Sequence, residues 1–147
     1  MTPFSYRCTD CGRTYPRDEV RYLCPVCGKA YRPGIPLVGV LEAVFDYEAI
    51  QHLFDRANPD WNLFCAVEKE FHPPIQVGNT PLSPVNRLGT ELGLPSLWVK
   101  NDGLNPSGSL KDRASFLVVA EARRLGMELI VAASTGNAAS ALAAVCA

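Results

Sequence analysis

The chain has 147 residues, of which 48% are hydrophobic and 20% are charged, and its formal net charge at pH 7 is −1. These values fit a globular protein that consists of one domain, or of a small module joined to part of a larger one. They give no electrostatic reason to expect a nucleic-acid partner, and no apolar run is long enough to cross a membrane. The first residues lack the pattern of a secretory signal, so we expect a cytoplasmic protein.

The first 34 residues contain two C-x-x-C pairs, formed by Cys8, Cys11, Cys24 and Cys27. In a protein without a secretion signal, this spacing favours a metal site over disulfides. Tetrahedral zinc takes four thiolates, and a module this short needs the metal to stabilise its fold. We predict a structural zinc ribbon over residues 1–34, with iron on the same four thiolates as the alternative.

The order of the predicted helices and strands changes along the part of the chain that follows the ribbon. We predict a strand over residues 37–45 and a helix that Asp46 caps and that runs to about residue 56. From residue 85 onward helices and strands alternate. The predicted elements are a helix over 85–92, a strand over 97–100, a helix from about 109 to 125, a strand over 128–132 and a final helix. This alternation predicts parallel strands in an α/β domain.

One lysine, Lys111, lies in a Gly/Ser-rich turn at the predicted start of an apolar helix. Ser109 and Asp112 have the spacing of a capping box at this helix start. We expect the helix N-terminus and burial to lower the pKa of Lys111 and so to raise its nucleophilicity. Such a lysine is suited to condense with an aldehyde.

A second turn of small residues carries Ser134, Thr135 and Asn137 between the predicted strand over 128–132 and the final helix. Open α/β sheets bind ligands at the carboxyl ends of their strands. Free N–H groups at a helix start, together with hydroxyl groups, favour anions. The turn is therefore a candidate site for a carboxylate or phenolate.

Three segments together carry a family resemblance: Gly-Asn-Thr-Pro-Leu at 78–82, Asn-Pro-Ser-Gly-Ser-Leu-Lys-Asp-Arg at 105–113 and Ala-Ser-Thr-Gly-Asn at 133–137. In this order they resemble the fold-type-II pyridoxal-phosphate enzymes, the tryptophan synthase β-like family. The resemblance implies a three-layer domain with a parallel sheet. It implies that Lys111 binds pyridoxal 5′-phosphate covalently and moves protons, that Asn137 binds the cofactor's 3′-oxygen and the substrate, and that Ser134 and Thr135 bind the substrate carboxylate.

Within the family, the residues look most like the members that convert O-phospho-L-homoserine and water to L-threonine and phosphate, some of which begin with a cysteine ribbon. The last eight residues read as the middle of a helix without a stop signal, so we expect residues 35–147 to be a truncated portion of the catalytic domain. We expect the chain alone to bind the cofactor weakly and to be inactive, because the family's glycine-rich phosphate loop is missing. For the full-length protein we expect a homodimer that acts on a small amino-acid substrate.

Two other interpretations are open from the sequence. The first is another lyase of the same family, such as threonine dehydratase or cysteate synthase. The second belongs to a different class: a ribbon that recruits nucleic acid or a protein, carried on an inactive scaffold. Basic residues outnumber acidic ones in the ribbon segment, although the excess is small for a nucleic-acid site.

Overall fold

The computed structural model describes residues 4–147, which form two compact units. The first unit ends at Glu68 and the second extends from Lys69 to Ala147. Both units contain helices and strands, as expected for an α/β protein. The predicted division of the protein at residue 34 stays a prediction about its domain organisation. Within residues 4–147, no helix combines the length and the apolar character that crossing a membrane requires.

The first unit is built on a sheet of three antiparallel strands. They are β1 (Phe4–Cys8), β2 (Thr14–Tyr15) and β3 (Leu41–Phe45), in the order β2-β1-β3. Strand β3 pairs with β1 along its whole length, from Phe4 opposite Phe45 to Cys8 opposite Leu41. The strand predicted over 37–45 is confirmed from Leu41 onward, and it extends the sheet of the cysteine ribbon.

The two cysteine turns of the first unit share a backbone hydrogen bond from the glycine that follows the second cysteine of each pair. The N–H of Gly12 donates to the Cys8 carbonyl, and the N–H of Gly28 donates to the Cys24 carbonyl, both at 2.9 Å. The Cys24 N–H in turn donates to the Gly39 carbonyl at 2.7 Å. Gly39 has a φ of +81°, and a Cβ there would lie 2.7 Å from the Gly28 nitrogen. Only glycine therefore fits where this segment crosses the second turn.

Helix α1 (Tyr47–Leu53) follows the sheet and begins as predicted. The Asp46 carboxylate accepts the N–H of Ala49 at 2.9 Å, which is the expected cap. The helix ends at Leu53, three residues before the predicted end, and it buries Ile50 in the small core of this unit. The segment beyond it contains a 3-10 helix over Trp61–Phe64.

The second unit combines a two-stranded antiparallel sheet with three helices. Strands β4 (Leu82–Pro84) and β5 (Trp98–Lys100) pair on either side of helix α2 (Asn86–Glu91). Helix α3 (Asp112–Arg124) packs against helix α4 (Asn137–Cys146). These two helices supply five buried apolar residues of this unit, namely Val119, Ala120, Ala122, Ala141 and Val145.

The strand predicted over residues 128–132 is not formed, so this prediction is wrong. Leu129 and Val131 are 78% and 84% exposed. A strand needs a hydrogen-bonding neighbour, and within residues 4–147 this segment pairs with none. Every strand pair in the described part of the chain is antiparallel, so the parallel pairing expected from the alternation is not formed there.

Helix α3 ends as predicted but begins differently. Gly126 has a φ of +65°, and the Met127 N–H donates to the Ala122 carbonyl at 2.9 Å, which closes the helix in a Schellman motif. At the other end, the predicted capping box between Ser109 and Asp112 is not formed. The Asp112 carboxylate instead accepts the Ser107 N–H at 2.8 Å and the Ser107 hydroxyl.

Candidate functional site

The structure brings the four predicted metal ligands together. The Sγ atoms of Cys8, Cys11, Cys24 and Cys27 all lie within 4.8 Å of one another, and those of Cys11 and Cys24 are 3.9 Å apart. Thiolates bound tetrahedrally at the usual Zn–S distance lie about 3.8 Å from one another. Four soft ligands at this spacing fit one metal ion with no coordination position left open.

Hydrogen bonds set the charge within this cluster. The backbone N–H of Cys27, followed by the Tyr15 hydroxyl at 3.1 Å, lowers the pKa of Cys24 to about 6. The bond to Cys11 and burial raise the pKa of Cys27 to about 12. These contacts therefore favour a thiolate at Cys24 and oppose one at Cys27, and a bound cation would favour the thiolate form of both. The spacing of the cysteines gave no signal for Tyr15.

Lys111 lies immediately before α3, with φ −65° and ψ −20°. Its backbone N–H donates to the Ser109 hydroxyl oxygen at 3.2 Å. Its side chain is exposed, so the expected burial is not provided by residues 4–147. Over the same described range, its ammonium group makes no hydrogen bond or ion pair. An amine that is unpaired and attached to a fixed turn is available to react with a ligand aldehyde.

The turn that carries Lys111 is anchored by contacts that differ from the predicted capping box. Asp112 is fully buried and bonded to Ser107, and Arg113 forms a bidentate pair with Asp102. Arg113, assisted by the Thr80 hydroxyl, holds the pKa of the Asp102 carboxyl well below its usual range. Asp112 and Arg113 follow Lys111 directly at the start of α3, but no local pattern in the sequence indicates the partners of these two side chains.

The second turn lies directly before α4, as predicted. The Ser134 hydroxyl oxygen accepts the Gly136 N–H at 3.3 Å, and Ser134, Thr135 and Asn137 are all exposed. The predicted strand before this turn is absent, as described above. No hydrogen bond joins the turn to the Lys111 loop within the described residues. Its hydroxyl groups and the first N–H groups of α4 can bind an anion.

The free amine of Lys111 and the exposed turn at Ser134–Asn137 fit an aldehyde cofactor that carries a phenolate and a substrate that carries a carboxylate. Comparison with known proteins bears on this interpretation. A family model described as pyridoxal-phosphate dependent enzyme matches residues 74–147, a range that includes all three sequence motifs.

Curated relatives extend the comparison. A threonine synthase of Methanosarcina acetivorans is 36% identical over 95% of this chain and 33% of the relative. A threonine synthase of Methanocaldococcus jannaschii is 40% identical over 94% of this chain and 34% of the relative. A cysteine synthase B of Salmonella typhimurium is 41% identical over 48% of this chain and 24% of the relative.

The chain thus spans about one third of the length of the two threonine synthases that it matches. The family model covers half of the chain, and its range contains Lys111 together with the turn at Ser134–Asn137. The predicted fold class, α/β with the first part of a fold-type-II domain, agrees with this match. The chain belongs to the pyridoxal-phosphate dependent enzyme family.

Proposed function

We propose that this chain is part of a threonine synthase, which converts O-phospho-L-homoserine and water to L-threonine and phosphate. One observation carries the proposal: the two threonine synthases align with about 95% of the chain, including the cysteine ribbon. The cysteine synthase match covers 48% of the chain, in keeping with a resemblance limited to the family's shared motifs. The finer features that we propose with it are a cytoplasmic location and a homodimer of the full-length protein.

Lys111 is the residue to which we assign the covalent bond with the cofactor. Pyridoxal phosphate, when bound, stabilises the negative charge that develops on the substrate after its Cα proton leaves. The Lys111 amine then accepts and returns protons at the neighbouring substrate carbons. Its exposed side chain and its fixed backbone support this role.

The turn before α4 is the proposed substrate site. Its hydroxyl groups on Ser134 and Thr135, together with the free N–H groups at the start of α4, are placed to bind the substrate carboxylate. The Asn137 amide is assigned to the 3′-oxygen of the cofactor and to the substrate. The exposure of all three side chains supports access to a ligand.

We assign structural zinc to Cys8, Cys11, Cys24 and Cys27 in a ribbon over residues 1–34, and the catalytic domain to residues 35–147. The sulfur positions support zinc, since their spacing matches a tetrahedral site. A closed four-thiolate site leaves no position for substrate, so its role is to stabilise the fold.

The test uses the full product of the gene, supplied with pyridoxal phosphate and O-phospho-L-homoserine. We expect release of phosphate and threonine in equal amounts, and a loss of at least about a hundredfold in Lys111→Ala. Lys69→Ala is the matched control, because Lys69 is also exposed but lies outside the three motifs. Equal activity of the two variants would remove Lys111 from the reaction.

The second candidate function is cysteine synthesis. It is supported by the 41% identity to cysteine synthase B over 48% of this chain. The same assay separates the two candidates. A protein that binds the cofactor on Lys111 but releases no phosphate from O-phospho-L-homoserine acts on another amino-acid substrate.

A further inference from the structure

The Asp102 carboxylate collects hydrogen bonds from two separate segments of the second unit. Arg113 donates from Nε to Oδ2 at 2.8 Å and from Nη2 to Oδ1 at 2.9 Å. Thr80 donates its hydroxyl to Oδ1 at 2.6 Å, and the Thr80 side chain is itself buried. The carboxylate therefore joins the loop that precedes β4 to the first turn of α3.

The backbone of the same turn is tied to the same loop. The Asn105 amide donates from Nδ2 to the Asp102 carbonyl at 2.8 Å, and its Oδ1 accepts the Gly78 N–H at 2.9 Å. Asn105 is 4% exposed, so this bridge is shielded from water. The loop containing Gly78 is thus held by a hydrogen bond to the charged Asp102 carboxylate and by one to the neutral Asn105 amide.

Lys111 lies between these anchors. Arg113 follows it by two residues and is fixed by Asp102, while Asp112 is fixed by Ser107. The Lys111 side chain has no hydrogen bond of its own among residues 4–147. Its Cα position is consequently set by the residues around it. A reacting amine must be held within about 0.5 Å of its productive position for efficient bond formation.

We propose that Asp102 is a positioning residue for Lys111, which acts through Arg113 by fixing the first turn of α3. This inference rests on the proposed function in one respect, namely that Lys111 holds the cofactor. Asp102 does not contact the reacting amine in this account. Asp102 contributes by fixing the Lys111 backbone. If the first turn of α3 were mobile, the amine would often lie too far from the cofactor aldehyde to react.

The competing explanation is that Asp102 and Arg113 form an ordinary surface ion pair with no effect on Lys111, since exposed ion pairs contribute little to stability. The same helix offers a matched pair at its other end. Arg124 binds Glu121 in the same bidentate manner, from Nε to Oε2 at 2.8 Å and from Nη2 to Oε1 at 2.7 Å. Glu121→Gln therefore removes an equivalent ion pair from α3 without touching the Lys111 turn.

The experiment compares Asp102→Asn with Glu121→Gln in the full gene product. Pyridoxal phosphate is titrated by its visible absorbance, and borohydride reduction followed by peptide mass mapping measures the fraction of cofactor fixed on Lys111. We expect the Kd to rise about tenfold or more in Asp102→Asn, with less cofactor trapped on Lys111 at equal saturation. Glu121→Gln is expected to stay within twofold of the unchanged protein in both measurements.

The outcomes separate the two proposals. Trapping on a different lysine in the unchanged protein overturns the proposed function. Trapping on Lys111 with equal Kd values for the two variants overturns the positioning role of Asp102 alone. If Asp102→Asn fails to fold, Asp102→Glu and Glu121→Asp take its place, because each keeps the charge and shifts the carboxylate by one methylene. A larger rise in Kd for Asp102→Glu supports the positioning role, and equal values contradict it.

Discussion

Asp102 is held in its charged form by the residues that face it. Arg113 is the main cause of its lowered pKa, followed by the Thr80 hydroxyl, and Lys100 adds a smaller favourable charge. The pKa of Arg113 is raised in turn by the same pair. A carboxylate with a lowered folded-state pKa stabilises the protein above its unfolded value, about 3.9, and this contribution is lost as the pH falls.

We therefore predict that the unfolding free energy of the second unit falls more steeply in the unchanged protein than in an Asp102→Asn variant as the pH is lowered from about 5 toward 2. The measurement is urea unfolding at several pH values, followed by Trp98 fluorescence in a Trp61→Phe background. Glu128→Gln is the control, because Glu128 is exposed and makes no ion pair within residues 4–147. Parallel pH profiles for Asp102→Asn and the unchanged chain would contradict this account.

Gly78 has two reasons to be glycine. Its φ is +84°, and a Cβ at this position would lie 3.0 Å from Nη1 of Arg113. Gly93 has a similar φ of +68° but no heavy atom within 4 Å of such a Cβ. We predict that Gly93→Ala costs about 1 kcal/mol of unfolding free energy, and that Gly78→Ala costs more because the Arg113 guanidinium must also shift by a few tenths of an ångström to make room. Equal losses of unfolding free energy in the two variants, measured by urea unfolding, would show that the contact with Arg113 does not affect stability.

The sequence motifs lead to predicted roles for Lys111 and the four cysteines, but they do not indicate the long-range contacts around them. Motif spacing identifies side chains that perform chemistry close together along the chain. Asp102 meets Thr80 and Arg113 across 22 and 11 residues, and Tyr15 meets Cys24 across nine. Such contacts depend on how loops fold over one another, and no local pattern contains that information.

At the scale of elements, local signals predicted the helices well. The Asp46 cap and the glycine after α3 both mark real helix ends. The strand over 128–132 failed because strand formation depends on a neighbour, which hydrophobic pattern alone does not supply. The capping box at Ser109 failed for a different reason. The loop before α3 curls back, so the Asp112 carboxylate meets Ser107 instead.

The cap of α1 gives the prediction at this scale. Asp46→Ala removes the acceptor for the Ala49 N–H and should lower the stability of the first unit by about 1 kcal/mol. Asp55→Ala is the matched control, because Asp55 accepts the Ala57 N–H at the same 2.9 Å outside any helix. Urea unfolding monitored by Trp61 fluorescence in a Trp98→Phe background measures both. A smaller loss for Asp46→Ala than for Asp55→Ala would contradict the capping role.

At the scale of the whole molecule, the cysteine cluster is the proposed source of much of the first unit's stability. Among residues 4–68, the buried apolar side chains outside the cluster are few, namely Val20, Ile50 and Val67. A core of this size contributes little stability, whereas a four-thiolate metal site contributes folding free energy directly. The sequence predicted the cluster, but not that β3 completes the sheet around it, because the pairing joins residues more than 30 positions apart.

We predict one equivalent of zinc per chain and unfolding of the first unit when a strong chelator removes it. Metal analysis and Trp61 fluorescence report the two effects. Cys24→Ser should lose the metal, whereas Cys146→Ser should keep it, because Cys146 is exposed and lies outside the cluster. A first unit that stays folded without metal would contradict the assigned role of the ribbon.

The proposed attachment of the cofactor to Lys111 can be tested directly by chemical trapping. The full gene product is saturated with pyridoxal phosphate, reduced with borohydride and digested, and the modified peptide is identified by mass. We expect one pyridoxyl group, attached to Lys111, and none in the Lys111→Ala variant. A pyridoxyl group on Lys69, Lys100 or another lysine, or equal labelling of the variant, would contradict it.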